Sequence, residues 1–227
     1  MQPLADRRCV MADKPILFSA PMVRALLDGT KTQTRRILKP QPPEGFDRML
    51  GYVGVSCTKV VFADTDEATF EAAIRISVGD RIWVKETHSI VPRTAYRMSE
   101  GVPQMLRPND NHDAAVYREG WERSQPGRWR PSIHMPRWAS RLTLIVTDVR
   151  VERLQDISEE DAAAEGWPAP ENRARTGIAE IRDAYPIGWY AALWDTINGP
   201  GAWEADPWVV AYTFTVMRGN IDQIGGA

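Results

Sequence analysis

The stretch that decides the fold of this chain is Gly29-Thr30-Lys31-Thr32-Gln33-Thr34-Arg35-Arg36. It follows an apolar segment, Met22-Val23-Arg24-Ala25-Leu26-Leu27, whose spacing predicts a short amphipathic helix over residues 20–28. Gly29 lies where helices commonly end on a glycine. The polar residues that come next are therefore expected at the end of a rigid element, which is a suitable place for a functional site.

The residue types in this stretch are those that nucleophilic catalysis requires. A lysine three residues before a threonine, as Lys31 is before Thr34, can act as a base beside a hydroxyl nucleophile. Arg35 and Arg36 are able to bind a phosphate or a carboxylate. The alternative is a solvated loop that happens to carry several charges.

Away from this stretch, β-rich segments predict strands, and segments of helical spacing predict helices. The strands are expected at 16–18, within 53–62 (one or two strands), and at 81–87, 114–117, 140–154 and 208–216. The helices are expected at 20–28, 67–74, 158–165 and 178–196, the last one broken near Pro186. Several strands with few, scattered helices favour a mixed α/β (α+β) fold built on a small β-barrel over a doubly wound sheet.

Composition limits the classes of function. The 227 residues include 28 basic and 30 acidic side chains, so any nucleic-acid binding must come from a local basic patch. No apolar run approaches the length that spans a membrane, and the first residues lack the apolar core of a signal peptide. Two cysteines without metal-ligand neighbours indicate a reducing cytoplasm and no zinc site. We therefore expect a cytoplasmic protein with no membrane association, no metal and no cofactor, and assume a monomer.

At this point a family resemblance is clear. The pattern Gly29-x-Lys31-x-x-Thr34-x-Arg36 resembles the signature of ASCH domains, which belong to the PUA-like superfamily. Three further segments resemble the later turn, helix and closing strand of such domains, in the same order: 79–84, 157–166 and 207–216. Residues 129–141 are similar to a segment of the longer ASCH-type proteins of bacteriophages and prophages. The resemblance covers residues 15–217.

The resemblance implies an architecture. A PUA-like β-barrel of five or six strands, with flanking helices and a cleft near the first helix, is expected as a single domain over residues 13–218. Two loop-rich insertions, at about 40–75 and 90–130, have no counterpart in the smallest ASCH domains. Residues 1–12 are expected to be a disordered extension, and residues 219–227 a flexible tail.

The resemblance also implies an activity. Some small bacterial ASCH proteins are amidohydrolases that act on N(4)-acetylcytidine with a Lys, a Thr three residues later, and a Glu in the later helix. Those positions fall here on Lys31, Thr34 and Glu165. Thr34 would be the nucleophile, Lys31 the base that takes its proton, and Glu165 the group that orients Lys31 or shuttles a proton.

The residues by themselves leave alternatives open for this trio. Lysine serves as a base only if burial or a cationic neighbour lowers its pKa, whereas a nearby Glu165 would favour the charged ammonium. The sequence does not decide which effect is larger. Lys31 and Glu165 could equally form an ordinary ion pair that joins two elements, and Thr34 could simply bond the backbone.

A second constellation lies between Arg128 and Arg141, where arginines alternate with Trp129 and Trp138. Cationic side chains that neutralise phosphates beside aromatic rings that stack on bases are typical of surfaces that bind single-stranded RNA. The alternative is a loop that its tryptophans anchor and whose arginines pair with surface acids. Glu86, in the strand 81–87, is a further candidate that is either exposed or paired in the cleft. The substrate- or RNA-binding candidates are Arg35, Arg36, Glu86, Arg128, Arg130, His134, Arg137 and Trp138.

Three functional hypotheses follow from these candidates. The first is hydrolysis of an amide on an acylated nucleoside or modified base, such as N(4)-acetylcytidine, with a threonine nucleophile and a lysine base. The second is a non-catalytic PUA-like module that binds RNA or a nucleotide. The third is a ribonuclease, which no metal-ligand cluster in the sequence supports. The expected partner is a nucleoside or single-stranded RNA.

Overall fold

A five-stranded sheet forms the centre of the molecule in a computed structural model, which describes residues 13–53, 58–110, 112–124, 126–168 and 185–225. In chain order the elements are β1 (Asp13–Leu17), α1 (Ala20–Asp28), β2 (Gln33–Ile37), β3 (Arg48–Val53), β4 (Lys59–Ala63), β5 (Thr69–Ala73), β6 (Arg81–Lys85), β7 (His88–Pro92), β8 (Met105–Leu106), β9 (Asp113–Tyr117), β10 (Leu142–Arg153), α2 (Glu159–Ala164), α3 (Pro186–Asn198) and β11 (Trp208–Arg218). The protein is thus a mixed α+β protein.

The central sheet has the strand order β1-β6-β10-β11-β2. β1 runs parallel to β6, and the other neighbours are antiparallel. No strand pairing joins β1 to β2 in the described part of the chain, so the sheet is open and the closed barrel that we expected is not found there. Its two edges nevertheless approach each other, because Arg36 Nη2 on β2 donates a hydrogen bond of 2.9 Å to the carbonyl oxygen of Leu17 on β1.

Apolar packing holds α1 and α3 on this sheet. Val23 and Leu26 of α1 are buried against β6 and β10, and fully burying one such side chain stabilises the fold by about 1.5–3 kcal/mol. Trp189 and Trp194 of α3 pack beside Leu154 and the start of β11. Ile37 of β2, which is an edge strand of the sheet, packs against the cluster that contains α3. No helix in the described ranges is both long and apolar enough to cross a membrane.

The prediction of a helix over residues 67–74 is wrong. Residues 69–73 form β5, which pairs antiparallel with β4 from Ala63↔Thr69 to Lys59↔Ala73. Phe70 and Ala72 face inward while Thr69, Glu71 and Ala73 are exposed, which is the alternation of a half-buried strand. Helix formers such as Ala and Glu dominate the segment, but pairing with β4 overrides their weak local preference.

The two insertions contain more regular structure than the loop-rich segments that we expected. The first carries an antiparallel sheet of order β3-β4-β5, and the second contributes to a sheet of order β7-β9-β8. The first insertion packs its own apolar face on the central sheet, where Phe62 contacts Trp208 with ring centroids 4.8 Å apart. The insertions therefore extend the hydrophobic core and are not merely irregular loops at its surface.

The end of the chain is not a flexible tail over the described residues 219–225. Asn220 and Ile221 are buried. Asn220 Nδ2 donates hydrogen bonds of 2.8–3.1 Å to the carbonyl oxygens of Arg137, Trp138 and Ser140. The predicted extension 1–12 and the part 178–184 of the predicted last helix lie outside the described residues. α3 begins at Pro186, where proline is favoured because the first helical N–H has no partner to lose.

Candidate functional site

The end of α1 positions Lys31. Gly29 has a left-handed conformation with φ of 77°, as predicted for a helix that stops on glycine. The backbone N–H groups of Thr30 and Lys31 then both donate to the carbonyl oxygen of Ala25, at 3.0 and 3.1 Å. This closed turn directs the chain into β2, and Lys31 forms an isolated β-bridge with Glu165 on the way.

The end of α2 positions Glu165 opposite Lys31. Ser158 caps this helix by accepting a hydrogen bond of 3.1 Å from the N–H of Asp161. Glu165 follows the last turn, and Gly166 has a positive φ of 106°. A Cβ atom on Gly166 would lie only 2.9 Å from Cβ of Ala25. Only glycine therefore allows α2 to approach α1 closely enough for Glu165 to reach Lys31.

Lys31 and Glu165 form a buried ion pair. Lys31 Nζ donates to Glu165 Oε2 at 2.8 Å and to the Glu165 carbonyl oxygen at 2.8 Å. The side chains of Lys31 and Glu165 are 0% and 3% exposed. Two hydrogen bonds and an opposite charge satisfy both partners, as groups buried away from water require.

Arg35 binds the same carboxylate from the other side. Its Nη1 donates to Glu165 Oε1 at 3.2 Å, its Nη2 to Asp161 Oδ2 at 2.9 Å, and its Nε to Glu152 Oε1 at 2.8 Å. The Arg35 side chain is 0% exposed. We predicted a substrate contact for Arg35, but three carboxylates already occupy its donors, so it positions Glu165 instead.

Burial decides the direction of the pKa shift of Lys31, which the sequence had left open. Loss of solvation lowers the pKa of Lys31, and the nearby charges of Arg36 and Arg35 act in the same direction. The carboxylate of Glu165 opposes the shift without reversing it. Burial, with the Glu165 charge beside it, also raises the pKa of Tyr190, which hydrogen-bonds to Glu165. The site thus favours a neutral amine more than an exposed lysine does.

Thr34 and Glu165 line one small cavity of about 50 Å³, together with Arg36, Tyr190 and Trp194. Thr34 and Arg36 occupy alternate positions of β2, so their side chains share one face of the strand, and Arg35 also contributes to the lining of the cavity. Thr34 is 2% exposed, so the cavity is its access to a ligand. In the described part of the chain, no hydrogen bond joins the Thr34 hydroxyl to Lys31.

A larger cavity of about 410 Å³ opens beside the small one, between the edge strands β1 and β2. Arg36, Ile37 and Asn198 line both cavities, which makes them neighbours. The Arg36 guanidinium lies 5.5 Å from the ring centroid of Phe18, so it bridges β2 and β1 at the boundary. This arrangement leaves room for a small molecule beside the Thr34 cavity.

The candidates of the Arg128–Arg141 segment divide into two groups. Arg128, Arg130 and His134 are exposed. Arg137 instead pairs with Asp13 and Asp222, and Trp138 is half-buried beside Met135 and Ala139. The first group can contact a ligand from solvent, whereas Arg137 and Trp138 hold the segment to the rest of the fold.

Glu86 is paired and is not exposed. Both of its carboxylate oxygens accept hydrogen bonds of 2.8 Å from Arg141, and the carboxylate is 2% exposed. Burial raises the pKa of Glu86, although Arg141 opposes the shift. Glu86 lines neither the small nor the larger cavity, and its ion-pair partner is Arg141, not a member of the trio of Lys31, Thr34 and Glu165.

Sequence reasoning missed several polar residues that line these cavities, among them Lys39, Arg75, Tyr190 and Tyr212. None belongs to a short motif, and each comes from a different segment of the chain. Tyr212 pairs with Thr34 in the sheet, so knowledge of the β2–β11 register would have indicated it. No local signal indicates Arg75, because it lies in an insertion.

Comparisons of the chain with family models, with curated proteins and with solved structures gave no match.

Proposed function

We propose that this protein hydrolyses an amide on an acylated nucleoside or modified base, of the kind that N(4)-acetylcytidine represents. One observation carries the proposal: the hydroxyl-bearing Thr34 and the Glu165 carboxylate line the same cavity, and Glu165 is bonded to a fully buried lysine. A nucleophile, a base and a group that orients the base are the parts that covalent acyl transfer requires.

Lys31 is suited to act as the base. A neutral amine carries two N–H donors and one lone pair, and the two hydrogen bonds to Glu165 use both donors. The lone pair then remains available to accept the proton of Thr34. Burial supports this role because it lowers the pKa of Lys31. Catalytic hydrogen bonds are often longer in unliganded enzymes. The lack of a hydrogen bond between Lys31 and Thr34 is therefore compatible with this role.

The proposed reaction has two steps. Thr34 Oγ1 attacks the acyl carbonyl carbon while its proton passes to Lys31 Nζ. The carbon–nitrogen bond then breaks, the leaving amine takes the proton from Lys31, and an acyl ester remains on Thr34. In the second step a water molecule gives one proton to Lys31 and attacks the ester. The carboxylic acid leaves, and Thr34 regains its proton.

Arg36 supplies the polar contact for the developing charge. It lines the Thr34 cavity, and its guanidinium keeps its positive charge at neutral pH although burial lowers its pKa. Donors held in place beside a water-poor site stabilise an oxyanion more strongly than water does. Arg36 thereby keeps the substrate-binding role that the sequence predicted.

We further infer that the fold is a PUA-like barrel that is open on one side, as in an ASCH-type protein, and that the protein is cytoplasmic. The order of the sequence motifs supports this inference, as does the approach of the edges β1 and β2 through Arg36 and Leu17. The same opening gives a nucleoside access to Thr34.

The test is release of acetate and cytidine from N(4)-acetylcytidine. We expect turnover by the native chain, and a loss of about a hundredfold or more in Thr34→Ala and in Lys31→Met, since each removes a partner of the nucleophilic step. Thr32→Ala is the matched control, because Thr32 is exposed in the same stretch and should leave turnover unchanged. A folded native protein that is inert on a panel of acylated nucleosides would refute the proposal.

A non-catalytic RNA-binding module is the second candidate, and the exposure of Arg128, Arg130 and His134 favours it. If these side chains contact phosphates, affinity for single-stranded RNA should fall steeply with salt because counterions are released. Affinity that does not depend on salt, or on Arg130, would exclude this surface. Ribonuclease activity has no specific support among the described residues.

A further inference from the structure

The larger cavity contains both cationic and apolar side chains in its lining. Its volume is about 410 Å³, and Ile16, Leu17 and Val210 contribute apolar walls. Three positively charged side chains lie along its lining: Arg36, Lys39 and Arg75. No acidic residue of the described chain is among those that line it. The cavity thus combines a positive region with surfaces on which a flat apolar ring can pack.

These three cations form no ion pair with another residue of the described ranges. In the described part of the chain, no carboxylate lies within 4.0 Å of Arg36, Lys39 or Arg75. Arg36 donates only to a neutral carbonyl oxygen, that of Leu17. Other arginines on the same sheet are paired with acids, as Arg35 is with Glu165 and Arg81 with Asp13, although Arg218 donates to the carbonyl oxygen of Leu27. Arg36, Lys39 and Arg75 thus place three positive charges without acidic partners from the described chain along one cavity.

Arg36 and Arg75 also share a neighbour. The charges of both act on the hydroxyl of Tyr212, a buried residue that lines the same cavity. The carboxylate of Asp80 acts on this hydroxyl in the opposite direction, but Asp80 does not line the cavity, is paired with Lys14 and accepts a hydrogen bond of 2.9 Å from the backbone N–H of Ser77. Two guanidinium groups in the lining of one cavity suit an anion with several oxygen atoms.

The cavity adjoins the candidate catalytic centre. Arg36, Ile37 and Asn198 line both it and the Thr34 cavity. The Thr34 cavity, at about 50 Å³, holds an acyl group but not a whole nucleoside. The larger cavity lies within the usual size range of small-molecule sites. A single ligand can therefore extend from Thr34 to the three cations.

We propose that the larger cavity binds the phosphate group of a nucleotide, so that the ligand of this site is a phosphorylated nucleoside and not a free one. The proposal rests on the proposed function for the position of the reacting group, and it extends that function by naming the substrate class. Arg36 and Arg75 donate to the phosphate oxygens, Lys39 adds a third positive charge, and the sugar and base pack on the apolar walls.

The test compares the binding of cytidine 5′-monophosphate and of cytidine by calorimetry in a buffer without phosphate. The native protein should bind the monophosphate about tenfold more tightly or better, because a charged hydrogen-bonded group adds to affinity. Arg75→Gln should remove most of this preference, and it should not unfold the protein because Arg75 is exposed. Arg48→Gln is the matched control, since Arg48 is exposed on β3 and lies outside the cavity.

The outcomes separate the two proposals. Neither probe carries an acyl group, so their binding is independent of hydrolysis. If the protein prefers the monophosphate but hydrolyses no acylated nucleoside, the binding result supports the anion site, and the lack of hydrolysis refutes only the hydrolase proposal. Equal affinity for the two probes, absence of binding, or a preference that Arg75→Gln leaves intact would overturn the anion site even if hydrolysis were found. A cytidine trinucleotide as a third probe distinguishes a free nucleotide from one within RNA, since the tighter binder identifies the source of the phosphate.

Discussion

Lys31 has no exposed surface, although lysine is the residue type that most often remains in water. Its amine is held by two hydrogen bonds to Glu165, and Glu165 is shared with Arg35. A buried ion pair of this kind is weak evidence for stability, because desolvation offsets much of the attraction. Its value here lies in chemistry: the burial that opposes the charge is what prepares Lys31 to accept a proton.

The lowered pKa of Lys31 predicts how stability depends on pH. Between the lowered pKa of the folded state and the ordinary value of 10.5, the unfolded chain binds a proton that the folded chain does not. The free energy of unfolding should therefore rise with pH in this interval, with a slope of at most about 1.4 kcal/mol per pH unit. Urea unfolding between pH 7 and pH 10 measures this slope.

Lys31→Met is the control for that measurement, because it removes the titrating group and should remove the rise. The interval must end near pH 10, since burial raises the pKa of Tyr212 to about 12 and its titration lowers stability above the ordinary value for tyrosine. A flat profile in the native protein, or the same slope in Lys31→Met, would contradict the lowered pKa.

At the scale of elements, the site depends on how closely α1 and α2 approach. Gly29 and Gly166 both have positive φ, but a Cβ atom on Gly29 would meet nothing within 4 Å. On Gly166 the same atom would lie 2.9 Å from Cβ of Ala25 and 3.3 Å from Cβ of Lys31. A substitution of Gly29 therefore introduces conformational strain alone, whereas a substitution of Gly166 introduces the same strain and a steric clash.

We predict that Gly29→Ala costs about 1–2 kcal/mol of stability, from the left-handed conformation alone. Gly166→Ala should cost about 1–3 kcal/mol more, because packed backbone and Cβ atoms must move apart. It should also reduce hydrolysis by displacing Glu165 from Lys31, whereas Gly29→Ala should not. Equal effects of the two substitutions on the unfolding free energy would show that the contact between α1 and α2 is not tight.

Several elements were predictable because a local signal was sufficient. The bounds of α1, its stop at Gly29 and the cap of α2 at Ser158 follow from spacing and capping chemistry, and the strong alternation of β10 and β11 gives their strands. β5 was missed because its strand form comes from pairing with β4, which no local pattern encodes. The same limit applied to the site: Lys31 and Thr34 lie in one motif, but Arg75 and Tyr190 reach their cavities through tertiary structure.

At the scale of the whole molecule, residues 219–225 join distant parts of the chain. The amide of Asn220 donates to three carbonyl oxygens of residues 137–140, and Arg81 Nη1 donates to the carbonyl oxygens of Ile221 and Ile224. The sequence suggested a tail because this short segment has no periodic pattern. The order of residues 219–225 comes instead from their hydrogen bonds to the segment 137–140, which they cover.

Asn220→Ala should therefore destabilise the protein, by about 1–3 kcal/mol, because it leaves buried carbonyl oxygens without donors. Gln223→Ala is the matched control, since the Gln223 side chain is exposed in the same segment. Thermal unfolding should show a lower midpoint for Asn220→Ala alone. Equal midpoints for the two variants would mean that the contacts of Asn220 contribute no stability.

The central claim is that Thr34 forms a covalent bond with the acyl group of the substrate. The most direct test is mass spectrometry of the protein, quenched during turnover of N(4)-acetylcytidine. We predict a species heavier by one acetyl group, with the modification in the fragment that contains Thr34 and absent from Thr34→Ala. An active protein whose Thr34 is never acylated, or a Thr34→Ala variant that retains full turnover, would contradict the account and indicate that water is the nucleophile.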